Sequence, residues 1–362
     1  MNTKILYAKS FLCFLIILVC GVIQSVDFSF WFSSLSNQNG AAYFIILLAA
    51  IMYTVIYGSI LFVIKFVLGK QTPEIQPNLK ILFVLGFINA LIGILVVYSS
   101  PIYRTPPLFM IIIGNSSIFF SIIATKILIK RKKYIDYCTI KPCLSLIIVV
   151  VAIIFPIIGS IINNPITNIK SEFFAWIIIS FIGFVLIALC NVLQEKYLNE
   201  YNYFYIGSDF VNYIFMLFWS SFFSLIIILL LFWVDIIPFF GMTNGIDSFF
   251  HNQLNMFQCF VGITCNYKNT FYALILIISY FVSYFMTAVI NKDSANFAVY
   301  ITLLQAPAAS MISTMIGPTI IPLWSSICSF VLLTLGLFLW KRWEITETNK
   351  DYTLFNDEHI WI

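Results

Sequence analysis

Charge is what this chain has least of. Only 9% of its 362 residues are Asp, Glu, Lys or Arg, against about a quarter in an ordinary soluble domain. So little charge excludes a water-facing surface over most of the chain. The formal net charge of +4 is small and its basic residues sit at the ends of apolar runs, so it speaks to membrane orientation and not to a nucleic-acid partner. Histidine is equally scarce, with His251 and His359 the two present, which leaves little for a metal centre or histidine-based catalysis. No HExxH, GxSxG, Walker or GxGxxG pattern stands in a credible context. We therefore expect no cofactor, no metal and no enzymatic chemistry. Cysteine is present but does not form a disulfide framework: Cys13, Cys20, Cys190 and Cys328 lie inside apolar runs and read as small core residues.

What is there is apolar chain in spanning lengths. Hydrophobic residues make up 61%, and runs long enough to cross a bilayer recur. Hydropathy gives ten spans, at about 8–26, 42–67, 79–100, 106–129, 143–162, 173–194, 208–235, 270–290, 297–316 and 319–340. The first resembles a signal peptide but lacks a good cleavage site, and it is expected to stay. Sixteen of the nineteen basic residues fall on one side of this arrangement; Arg104, Lys170 and Lys268 fall on the other. That bias predicts a multi-pass protein with both termini cytosolic.

Ten spans divide into 1–165 and 166–341, followed by a cytosolic tail at 342–362. An odd number of spans per half forces the halves into opposite orientation, so the expected fold class is an all-α polytopic membrane protein of two inverted five-helix repeats. The long connection at 236–269, between spans seven and eight, carries Ile246, Phe249, Phe250, Leu254, Phe257 and Val261 at helical spacing, with His251, Asn252, Asn255 and Gln258 between them. This predicts an amphipathic helix on the lumenal membrane surface.

Polar residues inside the spans are the candidates for function, because lipid offers them no hydrogen bond. Gln305 and Pro307 lie in mid-span nine among small residues, Leu303 through Ser310, a polar break of the kind transporters use for substrate. Span four carries Gly114-Asn115-Ser116, expected to face it. Asn89, Asn115, Ser116, Ser121 and Gln305 are taken as one polar cavity. Arg104 stands just before Pro106 and Pro107, at the start of span four, where its guanidinium could clamp an anionic group at the cavity mouth, set against an interfacial Arg that snorkels to head groups. Asp209 opens span seven and is the candidate proton-coupling group, set against a plain helix-start charge. Tyr352-Thr353-Leu354-Phe355 matches a Tyr-x-x-bulky endolysosomal sorting motif in a tail read as polar and disordered.

Four stretches, taken in order, resemble the chloroquine-resistance-transporter-like family of the drug/metabolite transporter superfamily. Gln305-Ala306-Pro307-Ala308 resembles that family's Gln-Gly-Pro-Ala element, with Ala306 in place of Gly. Arg104-Thr105 resembles its Arg-Thr before the fourth helix, and Asn191 through Tyr197 its polar exit from span six. Cys259 and Cys265 fall where the family has a disulfide-bearing lumenal loop, so the resemblance implies that they pair, on a side where oxidation is permitted. It also brings Asn191, Ser283 and Tyr284 into the candidate substrate contacts. Where better-known members carry acids on spans three and eight, this chain has Asn89 and Phe281-Val282-Ser283-Tyr284, which implies a more neutral site.

The resemblance implies a monomeric secondary transporter that moves small organic solutes out of an acidic vacuole or endolysosome. Such solutes include amino acids, short or thiol peptides and amphipathic drugs, moved by alternating access with proton coupling. A nucleotide-sugar or phosphate-ester exchanger of the same superfamily would need intramembrane Lys or Arg to hold phosphates. A membrane-embedded transferase would need clustered His or acidic residues, and His251 has no evident partner in the sequence.

Overall fold

The computed structural model describes residues 3–35, 41–67, 78–101, 104–129, 137, 139–163, 171–200, 209–316 and 322–358. The described chain is all-helical in class, with no strand among the described residues. The helices are α1 (Thr3–Leu35), α2 (Ala41–Phe62, extended by a π-helical turn, Val63–Val67), α3 (Leu79–Ser99), α4 (Pro107–Leu128), α5 (Ile140–Asn163), α6 (Ser171–Glu200), α7 (Asp209–Leu230), α8 (Ile246–Phe260), α9 (Lys268–Asn291), α10 (Ala295–Ile316) and α11 (Leu323–Glu358). All except α8 are long and apolar enough to cross a membrane, ten in number among the described residues. The chain is thus a multi-pass membrane protein.

Local chemistry sets several of the helix ends. Asn78 Oδ1 accepts from the Ile81 N–H at 3.4 Å and caps α3. Pro107 opens α4, where a missing N–H costs nothing. Asp209 sits in the first turn of α7, on the favourable end of the helix dipole. The α7 span ends at Leu230, short of the expected 235. A 3-10 turn at Phe232–Ile236 follows, and Phe239 adopts a positive φ of 75° as the chain bends toward α8.

Two expectations need revision. The α10 helix runs unbroken through Pro307, because neighbouring helices brace a proline within a membrane span. The α11 helix continues without interruption to Glu358, so the segment after 341 is mostly helix and not a disordered tail. Tyr352 and Phe355 lie on that helical stretch, and their side chains lie outside the described residues, as does His359.

The neighbours are ordered. The α1 helix lies against α9 and α10, and α6 lies against α3 and α4. The pairs α2–α7, α4–α10 and α5–α11 also meet. The main core joins Ile17, Tyr57, Leu82, Ile118, Tyr213, Tyr300 and Trp340. A smaller cluster, Tyr43, Tyr98, Trp176 and Phe249, packs at the end of the bundle that carries α8. The outer faces are apolar too: Phe83, Ile127, Ile147 and Phe338 are exposed, as lipid-facing positions should be.

The α8 helix uses two faces. Phe249, Met256 and Cys259 are buried, whereas Phe250, Leu254 and Phe257 point outward. That outward stripe is the apolar face expected from spacing, and Cys259 and Cys265 are joined by a disulfide.

Candidate functional site

Seven of the spans enclose a cavity of about 380 Å³. It is lined by the later half of α1 (Gln24, Phe28, Trp31), the first half of α2, the later halves of α3, α6 and α7, the middle of α9, and Thr302 and Gln305 of α10. These positions put it from the bundle centre toward the α8 end. No Asp, Glu, Lys, Arg or His is among the described lining residues.

The cavity is polar at its central end. Asn89 Nδ2 donates to Tyr284 Oη at 2.5 Å, and Gln194 Nε2 donates to the same oxygen at 3.3 Å. The Cys190 thiol donates to Asn89 Oδ1 at 3.1 Å. Toward α8 the lining turns apolar, with Phe28, Trp31, Ile45, Ile46, Val97 and Ile228.

A second polar layer lies beneath this floor. Asn291 Nδ2 donates to Asn191 Oδ1 at 2.9 Å and to Gln194 Oε1 at 2.8 Å. Glu195 Oε2 accepts from the Ala295 N–H at 2.8 Å and so caps α10. Asn296 Oδ1 accepts from Ser121 at 2.6 Å and from Thr125 at 3.3 Å, which ties α10 to α4. Ser294 Oγ donates to Glu344 Oε1 at 2.5 Å, which ties the α9–α10 turn to α11. Among the described residues, hydrogen-bonded amides and carboxylates therefore close the end of the bundle opposite α8.

The expected site residues divide in two. Asn89, Asn191, Ser283, Tyr284 and Gln305 line the cavity. Arg104, Asn115, Ser116 and Ser121 do not. Gln305 does not look toward Gly114-Asn115-Ser116. Its Nε2 donates to the Ile17 carbonyl at 3.1 Å, and it occupies the space over Gly21 that a Cβ would need. A side-chain-free spot on α1 lets the amide reach backbone, so α1 satisfies Gln305 and α4 does not. The α4–α10 contact is made instead at Ser121, Thr125 and Asn296. Ser116 bonds back to the Ile113 carbonyl at 2.7 Å. Asn115 is 2% exposed, and its Nδ2 has no hydrogen-bond partner among the described residues.

Arg104 is buried at 7% exposure away from the cavity lining. It donates to the Tyr98 carbonyl at 2.8 Å and to the Gly241 carbonyl at 3.3 Å, and it stacks 4.0 Å from the Trp176 ring centroid. Beside it, Tyr98 Oη donates to Asp235 Oδ1 at 2.6 Å. Asp235 lies beyond the end of the α7 span and is fully buried. Burial raises its carboxyl above the ordinary carboxylate range, against the opposing pull of Tyr98, Met242, Thr243 and Arg104. This cluster fastens the α3–α4 turn to the connection after α7.

Asp209 pairs with Lys292 at 2.6 Å and is half exposed, 53%. Sequence reading passed over Asp27, which stands one turn past Gln24 in α1. It is buried, and its Oδ2 has no hydrogen-bond partner among the described residues. It also missed Gln24, Tyr53, Gln194, Ser221, Ser224, Tyr280 and Thr287 of the lining. A signal existed for the α9 members. Tyr280, Ser283, Tyr284, Thr287 and Asn291 recur at three- and four-residue steps, a polar stripe on an otherwise apolar helix. Neither a protein-family model nor a curated protein matches this chain.

Proposed function

We propose that this protein is a secondary transporter that carries small organic solutes out of an acidic vacuolar or endolysosomal compartment, coupled to protons, by alternating access. The observation that carries the reading is the cavity: central, free of fixed charge among its described lining, and closed on one side by a hydrogen-bonded layer. A solute site that reaches the bundle centre from one face is what alternating access requires. A phosphate-ester exchanger would need cationic side chains here, and none lines the described cavity.

The reading takes α1–α5 and α6, α7, α9, α10 and α11 as inverted repeats. The helix pairings support it. The α1 helix meets α9 and α10 as α6 meets α3 and α4, and α2–α7, α4–α10 and α5–α11 pair counterpart with counterpart. With the basic residues cytosolic, α8 and its disulfide face the lumen, and the cavity lies on the lumenal side. Kinship with the chloroquine-resistance-transporter-like family belongs to the same reading, resting on Arg104-Thr105 and Gln305 through Ala308 in their order.

For the proton, Asp27 is better placed than Asp209. Asp209 is engaged by Lys292 near water, whereas Asp27 is enclosed in α1 beside the cavity wall that Gln24, Phe28 and Trp31 form. The test is flux in proteoliposomes over a broad panel of neutral, zwitterionic and charged solutes, with and without an imposed pH gradient. Protein-dependent flux that a pH gradient accelerates is expected, and Asp27→Asn should abolish the acceleration. Absence of flux for every solute in both directions sinks the transporter. A normal gradient response in Asp27→Asn removes Asp27 from coupling.

A further inference from the structure

We infer that the solute this cavity accepts carries no formal charge: an amphiphile with an aromatic or aliphatic flank and a hydrogen-bonding head, seated head-inward on the amide floor. The inference deepens the transport reading and rests on it for direction of movement, but not for binding.

The first ground is electrostatic. A charged solute gives up its water on entering, and that cost is recovered only if a counter-charge or several oriented dipoles meet it. The described lining supplies no ionisable carboxylate, ammonium, guanidinium or imidazole. Broken helices, whose free ends hold ionic groups in many transporters, do not line it either. The α10 helix is continuous through Pro307, and α1, α6, α7 and α9 are continuous along their lining segments.

The second ground is an account of donors and acceptors. Lining amides spend N–H groups within the protein. Gln24 Nε2 donates to the Ser279 carbonyl at 3.0 Å, Gln305 Nε2 to Ile17, and Asn89 and Gln194 to Tyr284. What remains is uncharged: the second N–H of the Gln24, Asn89 and Gln305 amides, the Gln24 and Gln305 side-chain carbonyls, and a set of hydroxyls. Tyr53, Ser221, Ser224, Tyr280, Ser283 and Thr287 line the cavity, and none makes a hydrogen bond to the described residues. A hydroxyl both donates and accepts and carries no charge. Six of them suit uncharged amide, carbonyl and hydroxyl groups, and they cannot neutralise an ammonium or a carboxylate.

The third ground is polarity along the axis. Asn89, Gln194, Tyr284 and Thr287 gather at the central end, while Phe28, Trp31, Ile45 and Ile46 form the end toward α8. This gradient orients an amphiphile and leaves its flank against aromatic and branched side chains.

Three probes on one skeleton separate the possibilities: indole-3-acetamide, indole-3-acetate and tryptamine, which at neutral pH are neutral, anionic and cationic. Binding to the purified full chain is read by ligand-dependent thermal shift, and carriage by counterflow in proteoliposomes. The acetamide should bind saturably, and at least tenfold more tightly than either ion. Tyr280→Phe combined with Ser283→Ala should weaken it several-fold while leaving the melting temperature of the ligand-free protein unchanged. An ion that binds as tightly as the acetamide overturns the inference, and so does a lack of saturable binding for all three. Acetamide that binds but is not carried leaves the site assignment standing and overturns transport. Carriage of the ions alone does the reverse.

Discussion

Arg104, expected at the cavity mouth, is packed outside the described cavity lining. Its guanidinium spans two carbonyls and a tryptophan face, Tyr98, Gly241 and Trp176, so its contribution is to hold the α3–α4 turn. Arg104→Ala should destabilise the purified protein by about 2 kcal/mol, the scale of hydrogen bonds to a charged donor, seen as a lower unfolding temperature in detergent. Unchanged stability with lost solute binding would instead return Arg104 to the substrate path. Asp235 beside it gives a pH prediction. Burial raises its carboxyl in the folded protein, so the fold tolerates the acid form better than the anion. Its stabilising contribution is full below the ordinary carboxylate range and is lost as pH rises through the raised value. Unfolding temperature should therefore fall from acid to neutral pH, and Asp235→Asn should flatten that slope; an identical slope in the variant counts against the assignment. Neither role was legible beforehand. Gly241 and Trp176 are remote from Arg104 in the chain, and a residue's partners come from packing rather than from its neighbours in sequence. Asn89 and Gln305 were legible, because an amide within an apolar run announces its own cost.

At the scale of elements, hydropathy located every spanning helix, because bilayer thickness imposes a length that can be counted. It failed where composition and conformation part company. Pro307 does not break α10, and the polar stretch after 341 is helical to Glu358. Close helix crossings were not legible either, since a glycine looks the same in sequence whatever it faces. Gly86 of α3 is the sharpest case. A Cβ there would stand 2.5 Å from Phe223 Cβ, 2.8 Å from the Ser220 carbonyl oxygen and 3.0 Å from the Ser224 nitrogen. Two of these are backbone atoms and cannot swing away. Gly86→Ala should cost about 1–3 kcal/mol, as overpacking does, and lower the unfolding temperature. Gly336→Ala is the control, because its nearest atoms lie at 3.5 Å and little change is expected. Equal effects of the two would mean that the α3–α7 crossing is looser than described.

For the whole molecule, helix number and the neutrality of the site could be read from sequence, but the cavity's true membership could not. Gln24, Tyr53, Ser221 and Thr287 meet only when α1, α2, α7 and α9 are assembled. The assembly is also lopsided. The α3 helix packs extensively along α7, while its counterpart under inversion, α9 on α2, makes slight contact. In the alternating-access reading those two contacts exchange. A Phe83→Cys, Phe223→Cys pair, whose native rings lie 5.6 Å apart, joined by a short bifunctional thiol reagent in a background lacking the other free cysteines, should stop transport and leave solute binding intact. Full transport by the joined protein would exclude that exchange. The layer of Asn191, Gln194, Asn291 and Asn296 that closes the far end has a thermal consequence. Parting it trades amide hydrogen bonds for bonds to water of similar strength, and it also uncovers the apolar cluster of Ile129, Val192 and Ala295 packed beside it, the kind of exposure that changes heat capacity. If that step limits turnover, the logarithm of the rate should curve against reciprocal temperature, where a purely polar gate would give a straight line.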